Sequence, residues 1–118
     1  MIPKLEKRKL VCVFMGEHDL YKDKPLYHAI TLRLRQEQFH GISVVKGIEG
    51  FGPHSLMRKS ATGNLLNISA DPPIIIYVVE REDRVDRLLE ILDEMMVDGE
   101  VFVSEVEGIS YLRSKTNR

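Results

Sequence analysis

Ile74-Ile75-Ile76-Tyr77-Val78-Val79 is an unbroken run of β-branched and aromatic side chains. It is too short for a helix and reads as a strand buried on both faces. Asp71-Pro72-Pro73 stands just before it. Proline has no N–H to give a ladder, so the pair marks a strand start or an edge kink. Downstream, Val85, Leu88, Leu89, Leu92, Met95 and Met96 recur at i, i+3, i+4, i+7 and predict an amphipathic helix. Met95 and Met96 fall on its core stripe. Asp83 and Arg87 are placed for an i,i+4 ion pair on its outer side. Asp98-Gly99 stops the helix, and Val101-Phe102-Val103 gives a closing strand.

Upstream the pattern repeats. Leu10-Val11-Cys12-Val13-Phe14-Met15 is a second two-sided apolar strand, ended by Gly16-Glu17-His18-Asp19. Tyr21 to Lys24 lead into Pro25, a residue favoured in the first turn of a helix. Leu26, Ala29, Ile30 and Leu34 then follow helical spacing through about Gln38, with Gly41 as the stop. A strand is expected from about Ile42 to Ile48. Gly63-Asn64 is a turn signal, and Leu65, Leu66 and Ile68 form a short strand-like piece. The order strand, helix, strand, strand, helix, strand is the split βαβ, ferredoxin-like arrangement of the α+β class. Right-handed crossovers place both helices on one face of the sheet. The strands are nonetheless apolar at both parities, and alternate residues point to opposite faces. The uncovered face would be a large exposed apolar patch, which soluble monomers seldom tolerate. The expected cover is another copy of the chain, making a homo-oligomer.

The 118 residues suit one domain with a modest core. The expected division is a charged N-terminal arm over 1–9, a single domain over 10–112 and a basic tail over 113–118. Charged residues make up 30% of the chain and the net charge is -1, which argues against a general nucleic-acid binder. No apolar run approaches the roughly 20 residues needed to span a bilayer, and the first nine residues lack a signal-peptide core. A soluble, cytoplasmic protein is the simplest account. Cys12 is the single cysteine, so no internal disulfide forms; mid-strand, it reads as a small core residue.

The stretch with the strongest functional cast is Lys46-Gly47-Ile48-Glu49-Gly50-Phe51-Gly52, followed by Pro53 to Ser60. Glycine lets another group approach the main chain closely, and such loops on a rigid scaffold often carry function. The plainer reading is a hairpin connection. The segment from about Gly52 to Gly63, with Pro53, His54, Ser55, Arg58, Lys59 and Ser60, has no apolar periodicity and is expected to be poorly ordered without a partner. Asp98-Gly99-Glu100 reads either as a C-cap glycine or as a set of backbone N–H groups able to hold phosphate oxygens. Glu17, His18, Asp19 and Asp23 could in principle hold a divalent metal, but a solvated loop explains them better. Glu105 and Glu107 share one strand parity, as a solvated face would. Arg58, Lys59, Arg113 and Lys115 are ordinary surface cations taken singly.

Two segments together suggest a family. Lys46 to Gly52 resembles the end of the second strand and the start of the long loop in PII signalling proteins. Asp98-Gly99-Glu100-Val101-Phe102-Val103-Ser104-Glu105-Val106 resembles the PII phosphate-contacting loop and final strand. Gly16-Glu17, Tyr21-Lys22, Lys24-Pro25-Leu26-Tyr27, Gly41, Gly47 and Gly50-Phe51-Gly52 resemble the pattern of the PII-like family called domain of unknown function 190. The resemblance covers about Leu10 to Val106. It implies a ferredoxin-like trimer with inward-facing sheets that binds adenine nucleotides in clefts between subunits. It also implies a loop between the second and third strands that docks on a transporter or enzyme. By matching position, Gly47, Gly50, Phe51 and Gly52 would line the base and ribose side. Asp98, Gly99 and Glu100 would face the phosphates, with Arg113 near the expected arginine segment. His54, Arg58 and Lys59 would lie in the partner-binding loop. PII proteins usually carry a lysine where this chain has Glu100, and a carboxylate there would repel a triphosphate. AMP or ADP therefore fits better than ATP.

The leading expectation is a non-catalytic, ligand-sensing homotrimer with no required cofactor. The alternative is a metal-binding trimer of the copper-tolerance type, which needs a convergent His, Cys or carboxylate set. No general base with an obvious partner supports an enzyme, and the strands lack the interleaved aromatic and basic residues that stack RNA bases.

Overall fold

The computed structural model describes residues 3–50 and 72–111. Its elements are β1 (Glu6–Gly16), β2 (Leu20–Tyr21), β3 (Lys24–Pro25), α1 (Leu26–Gln36), β4 (Ile42–Lys46), β5 (Pro73–Glu80), α2 (Glu82–Met95) and β6 (Glu100–Gly108). The main sheet has the order β4-β5-β1-β6, antiparallel throughout. Sequence-distant β5 and β1 lie side by side at its centre, as the ferredoxin-like topology requires. The expected short strand at Leu65–Ile68 lies outside the described residues.

The register sorts the two-sided apolar runs. Val11, Val13 and Met15 of β1 join Ile74, Ile76 and Val78 of β5 in the core, with Leu26, Ile30 and Leu34 of α1 and Leu88, Ile91, Leu92 and Met95 of α2. Leu10, Cys12 and Phe14 point the other way. They stand in rows with Val79, Tyr77 and Ile75 on β5 and with Ser104, Phe102 and Glu100 on β6. Among the described residues, no helix packs on that second face. Val45, Val79 and Phe102 remain 42%, 42% and 55% exposed on it, so the expected uncovered apolar face is present. Cys12 is half-buried on this open face, not in the core as expected.

Several local readings are corrected. β1 begins at Glu6, inside the stretch expected to be an arm. Its charged residues pair across the sheet, Lys9 with Glu80 on one side and Glu105 on the other. Lys9 Nζ lies 3.0 Å from a Glu105 carboxylate oxygen. β6 likewise runs on to Gly108, well past Val103. A small hairpin, β2–β3, follows β1; Lys22 and Asp23 make its two-residue turn with φ of 49° and 65°, the conformation such hairpins demand. α1 stops at Gln36, and Gln38 adopts φ 64° before Gly41 is reached. Arg87 does not pair with Asp83. It crosses to Glu37 at the end of α1 and also meets Glu90, while Asp83 faces Arg81. α2 ends at Met95, with extended Met96 as its C-cap, so Gly99 is not the helix cap.

Candidate functional site

β1, β4 and the α2–β6 turn bring the glycines to one end of the sheet. β4 ends at Lys46 and hands over to Gly47, whose N–H donates to the Pro73 carbonyl at 2.8 Å. A Cβ on Gly47 would lie 2.6 Å from Pro73 Cγ. Proline ring and main chain are thus pressed together where β4 meets the start of β5. On the opposite edge, Gly99 leads into β6 with φ 132°. A Cβ there would fall 2.4 Å from the Phe14 carbonyl oxygen, inside any allowed contact. Gly99 is therefore required by the close passage of the turn over β1.

These two positions share one end of the sheet but not one pocket. β5 and β1 separate β4 from β6. Three inter-strand spacings of about 4.8 Å put the edges roughly 14 Å apart. Gly50, at φ 151°, stays beside Pro73, and Glu100 is exposed at the first position of β6, opposite Phe14. Phe51, Gly52, His54, Arg58, Lys59 and Arg113 lie outside the described residues, as does the whole expected loop from Gly52 to Gly63.

The turn after β1 completes this end. Glu17 N–H donates to the Pro72 carbonyl at 2.9 Å, and a Glu17 carboxylate oxygen lies 3.0 Å from Lys46 Nζ. An Asp19 carboxylate oxygen accepts from the Gly16 N–H at 3.0 Å. Glu17 and Asp19, two of the four residues considered for a metal, are thus engaged in holding the turn. Among the described residues no three His, Cys, Asp or Glu side chains converge on a point suited to a metal ion.

One feature of the opposite end has no signature in the sequence. A cleft of about 300 Å³ opens there, lined by Arg8, Gly41, Val79, Val106, Ile109 and Ser110 among others. Its lining mixes polar and apolar groups, and Arg8 supplies a cation braced by Glu6 at 3.5 Å. By sequence Arg8 belongs to a solvated arm and Gly41 to a helix stop, so nothing links the two.

Charge is perturbed elsewhere. Arg87 and then Arg33 hydrogen-bond the Glu37 carboxyl and hold it below the ordinary glutamate range. Lys9 does the same to Glu105. Both groups lie on the helix side of the molecule and serve the packing of α1, α2 and β1.

The chain is similar to known proteins in sequence and in fold. A UPF0166 protein of Methanocaldococcus jannaschii is 28% identical over 97 residues, covering 82% of this chain and 86% of its own. CPII of Thiomonas intermedia is a nitrogen regulatory PII-like protein solved with ADP, AMP and bicarbonate. It superposes with a TM-score of 0.66 at 21% identity, over 92% of this chain and 94% of that one. A putative PII-like signaling protein of Thermus thermophilus gives a TM-score of 0.59 at 16% identity, over 89% and 92%. At those identities the two structures establish a shared fold. The model of the domain of unknown function 190 family, described as "Uncharacterized ACR", matches residues 8–108. Those residues hold the entire four-stranded sheet except the first two positions of β1, and both helices; the chain belongs to that family.

Proposed function

We propose that this protein is a non-catalytic regulator that senses an adenine nucleotide, AMP or ADP in preference to ATP. Its nucleotide site is a cleft completed between copies of the chain in a homotrimer, at the end of the sheet that carries Gly47 and Gly99. Its state is passed to a transporter or enzyme through the loop that includes His54, Arg58 and Lys59. One observation carries this reading: Gly47 and Gly99, each enforced by close contact, stand at the same end of the sheet but on opposite edges. A β4 edge of one copy set beside the β6 edge of the next brings the two into one cleft. The uncovered apolar face supplies a reason for copies to associate. CPII, with the same fold, is bound to ADP and AMP.

In this arrangement Gly47, Gly50, Phe51 and Gly52 border the base and ribose. Asp98, Gly99 and Glu100 border the phosphates, with Arg113 close by. Glu100 keeps the negative charge of the site high and so favours ligands with fewer phosphates. Nothing in the described residues favours the metal-binding alternative, since Glu17 and Asp19 already have other engagements. Calorimetric titration with AMP, ADP and ATP tests the proposal. Binding of AMP or ADP ahead of ATP is expected. Absence of heat with all three at millimolar ligand would overturn it.

A further inference from the structure

The end of the sheet that carries the glycines is mainly acidic: Glu17, Asp19, Glu49, Asp98 and Glu100 all belong to it. Among the described residues, Lys46 is the cation next to Gly47 in the chain. Lys46 shares a row with Ile74 and Met15 across β4, β5 and β1. Glu17, two residues beyond Met15, reaches back over the start of β5 to it at 3.0 Å. The partners are not equally free. Glu17 is 27% exposed and tied through its main chain to Pro72, whereas the Lys46 side chain is 56% exposed. The carboxylate is the fixed half of the pair and the ammonium the movable half. Lysine is a point charge on a flexible stem, able to trade one oxyanion for another.

We infer that Lys46 reads the phosphate charge of the bound nucleotide and that Glu17 is its built-in competitor. The inference rests on the proposed nucleotide site, with the flexible Lys46 stem extending from the ribose side of the cleft toward the phosphates bordered by the Asp98–Glu100 turn of the next copy. A ligand phosphate takes over Lys46 from Glu17, an exchange that a neutral nucleoside, bringing no anion, leaves untouched. Lys46 is then a specificity-determining residue, and Glu17 a positioning residue that acts through it. A phosphate carries more charge than a carboxylate and accepts the ammonium in a charge-assisted bond, so the exchange runs toward the ligand. Glu17 also holds the ammonium at one place, 3.0 Å away, in place of a free surface rotamer.

Calorimetry with ADP and with adenosine, on wild type, Lys46→Gln and Glu17→Gln, tests this. Lys46→Gln is expected to weaken ADP by about tenfold or more, the worth of one charged hydrogen bond, and to leave adenosine unchanged. Glu17→Gln is expected to tighten ADP several-fold, again without effect on adenosine. A purely structural pair would move both ligands together. Unchanged ADP affinity in Lys46→Gln, or equal losses for ADP and adenosine, overturns the inference while the nucleotide site stands. If wild type binds neither ligand, both the site and this inference fall. If Glu17→Gln does not fold, the Lys46→Gln comparison decides alone.

Discussion

The Glu37 carboxylate, one residue past α1, accepts two hydrogen bonds from the Arg87 guanidinium of α2, at 2.8 Å through Nε and 2.8 Å through a terminal nitrogen. This fork joins the two helices by matched planar geometry. Arg33 adds a third bond to the same carboxylate at 2.8 Å and also reaches Glu94. Arg84 completes the clamp: it donates to the Glu37 and Gln38 carbonyls and stacks 4.0 Å from the Phe39 ring centroid. Isolated surface ion pairs contribute little, but bidentate, networked ones are the exception.

Glu37→Gln should therefore lower the melting temperature by a few degrees at neutral pH, because the amide offers Arg87 a single neutral acceptor. The pH dependence has a definite sign. Arg87 and Arg33 lower the Glu37 pKa from the ordinary 4.5 in the folded state. The stabilisation is thus complete above about 4.5 and disappears as pH falls through the lowered folded value. Melting curves of wild type and variant should converge on acidification. A gap that stayed constant down to acid unfolding would mean that the carboxylate charge is not what joins the helices.

Gly99→Ala is expected to destabilise by at least about 1–3 kcal/mol, the usual range for a forced backbone conformation. Its φ of 132° excludes a side chain, and the Phe14 carbonyl occupies the space. Gly108→Ala provides the contrast, since among the described residues nothing lies within 4 Å of a Cβ there; its effect should stay within about 0.5 kcal/mol. Urea unfolding of the two variants measures both. Equal losses would show that the turn before β6 adjusts more freely than the contact with Phe14 implies.

Those glycines show what the sequence could and could not reveal. The fold was legible because its signals are local and repeated: Leu10–Met15 and Ile74–Val79 are strands by composition, and the α2 stripe is helical by period. Charge hid the rest. Glu6–Lys9 and Ser104–Gly108 are charged and stay largely exposed; that they are paired strands, with Lys9 opposite Glu105, is set by register between residues far apart in the chain. Arg87 had a nearby candidate partner in Asp83, yet Glu37, from another helix, outcompeted it. The β2–β3 turn uses Lys22 and Asp23 in place of glycine, so its usual signature was missing. Gly99 was marked as special, either as a helix cap or as part of a phosphate-holding turn; its contact with Phe14 is a tertiary fact.

The open face of the sheet predicts association. Phe102 meets Phe14 edge-on at 5.7 Å yet stays 55% exposed. Burying such a ring stabilises by about 1.5–3 kcal/mol, repeated in every copy. Light scattering at micromolar protein should give three times the 13.6 kDa of the chain. Phe102→Glu places a charge on the face and should reduce the mass toward that of one chain with the circular dichroism of the fold retained. A wild-type monomer would remove the basis for any cleft between copies.

Glu100→Lys examines the phosphate side of the proposed cleft. Glu100 begins β6 beside Gly99, on the row that contains Phe14, and is exposed. A carboxylate there opposes each added phosphate; a lysine attracts it. Two unit charges about 4 Å apart interact by about 1 kcal/mol in bulk water and ~4 kcal/mol at an effective dielectric of 20. The exposed position puts the effect nearer the lower figure, a several-fold change in affinity for each reversed charge. ATP gains most from the reversal because it carries the most negative charge, so the order of preference should invert from AMP or ADP over ATP to ATP over AMP. Calorimetry on both proteins reads this directly, and rising salt should shrink the difference, as it does for exposed charges. If Glu100→Lys binds all three nucleotides as wild type does, the phosphates do not reach the start of β6. The cleft would then have to be built on the β4 side, around Gly47 and Lys46.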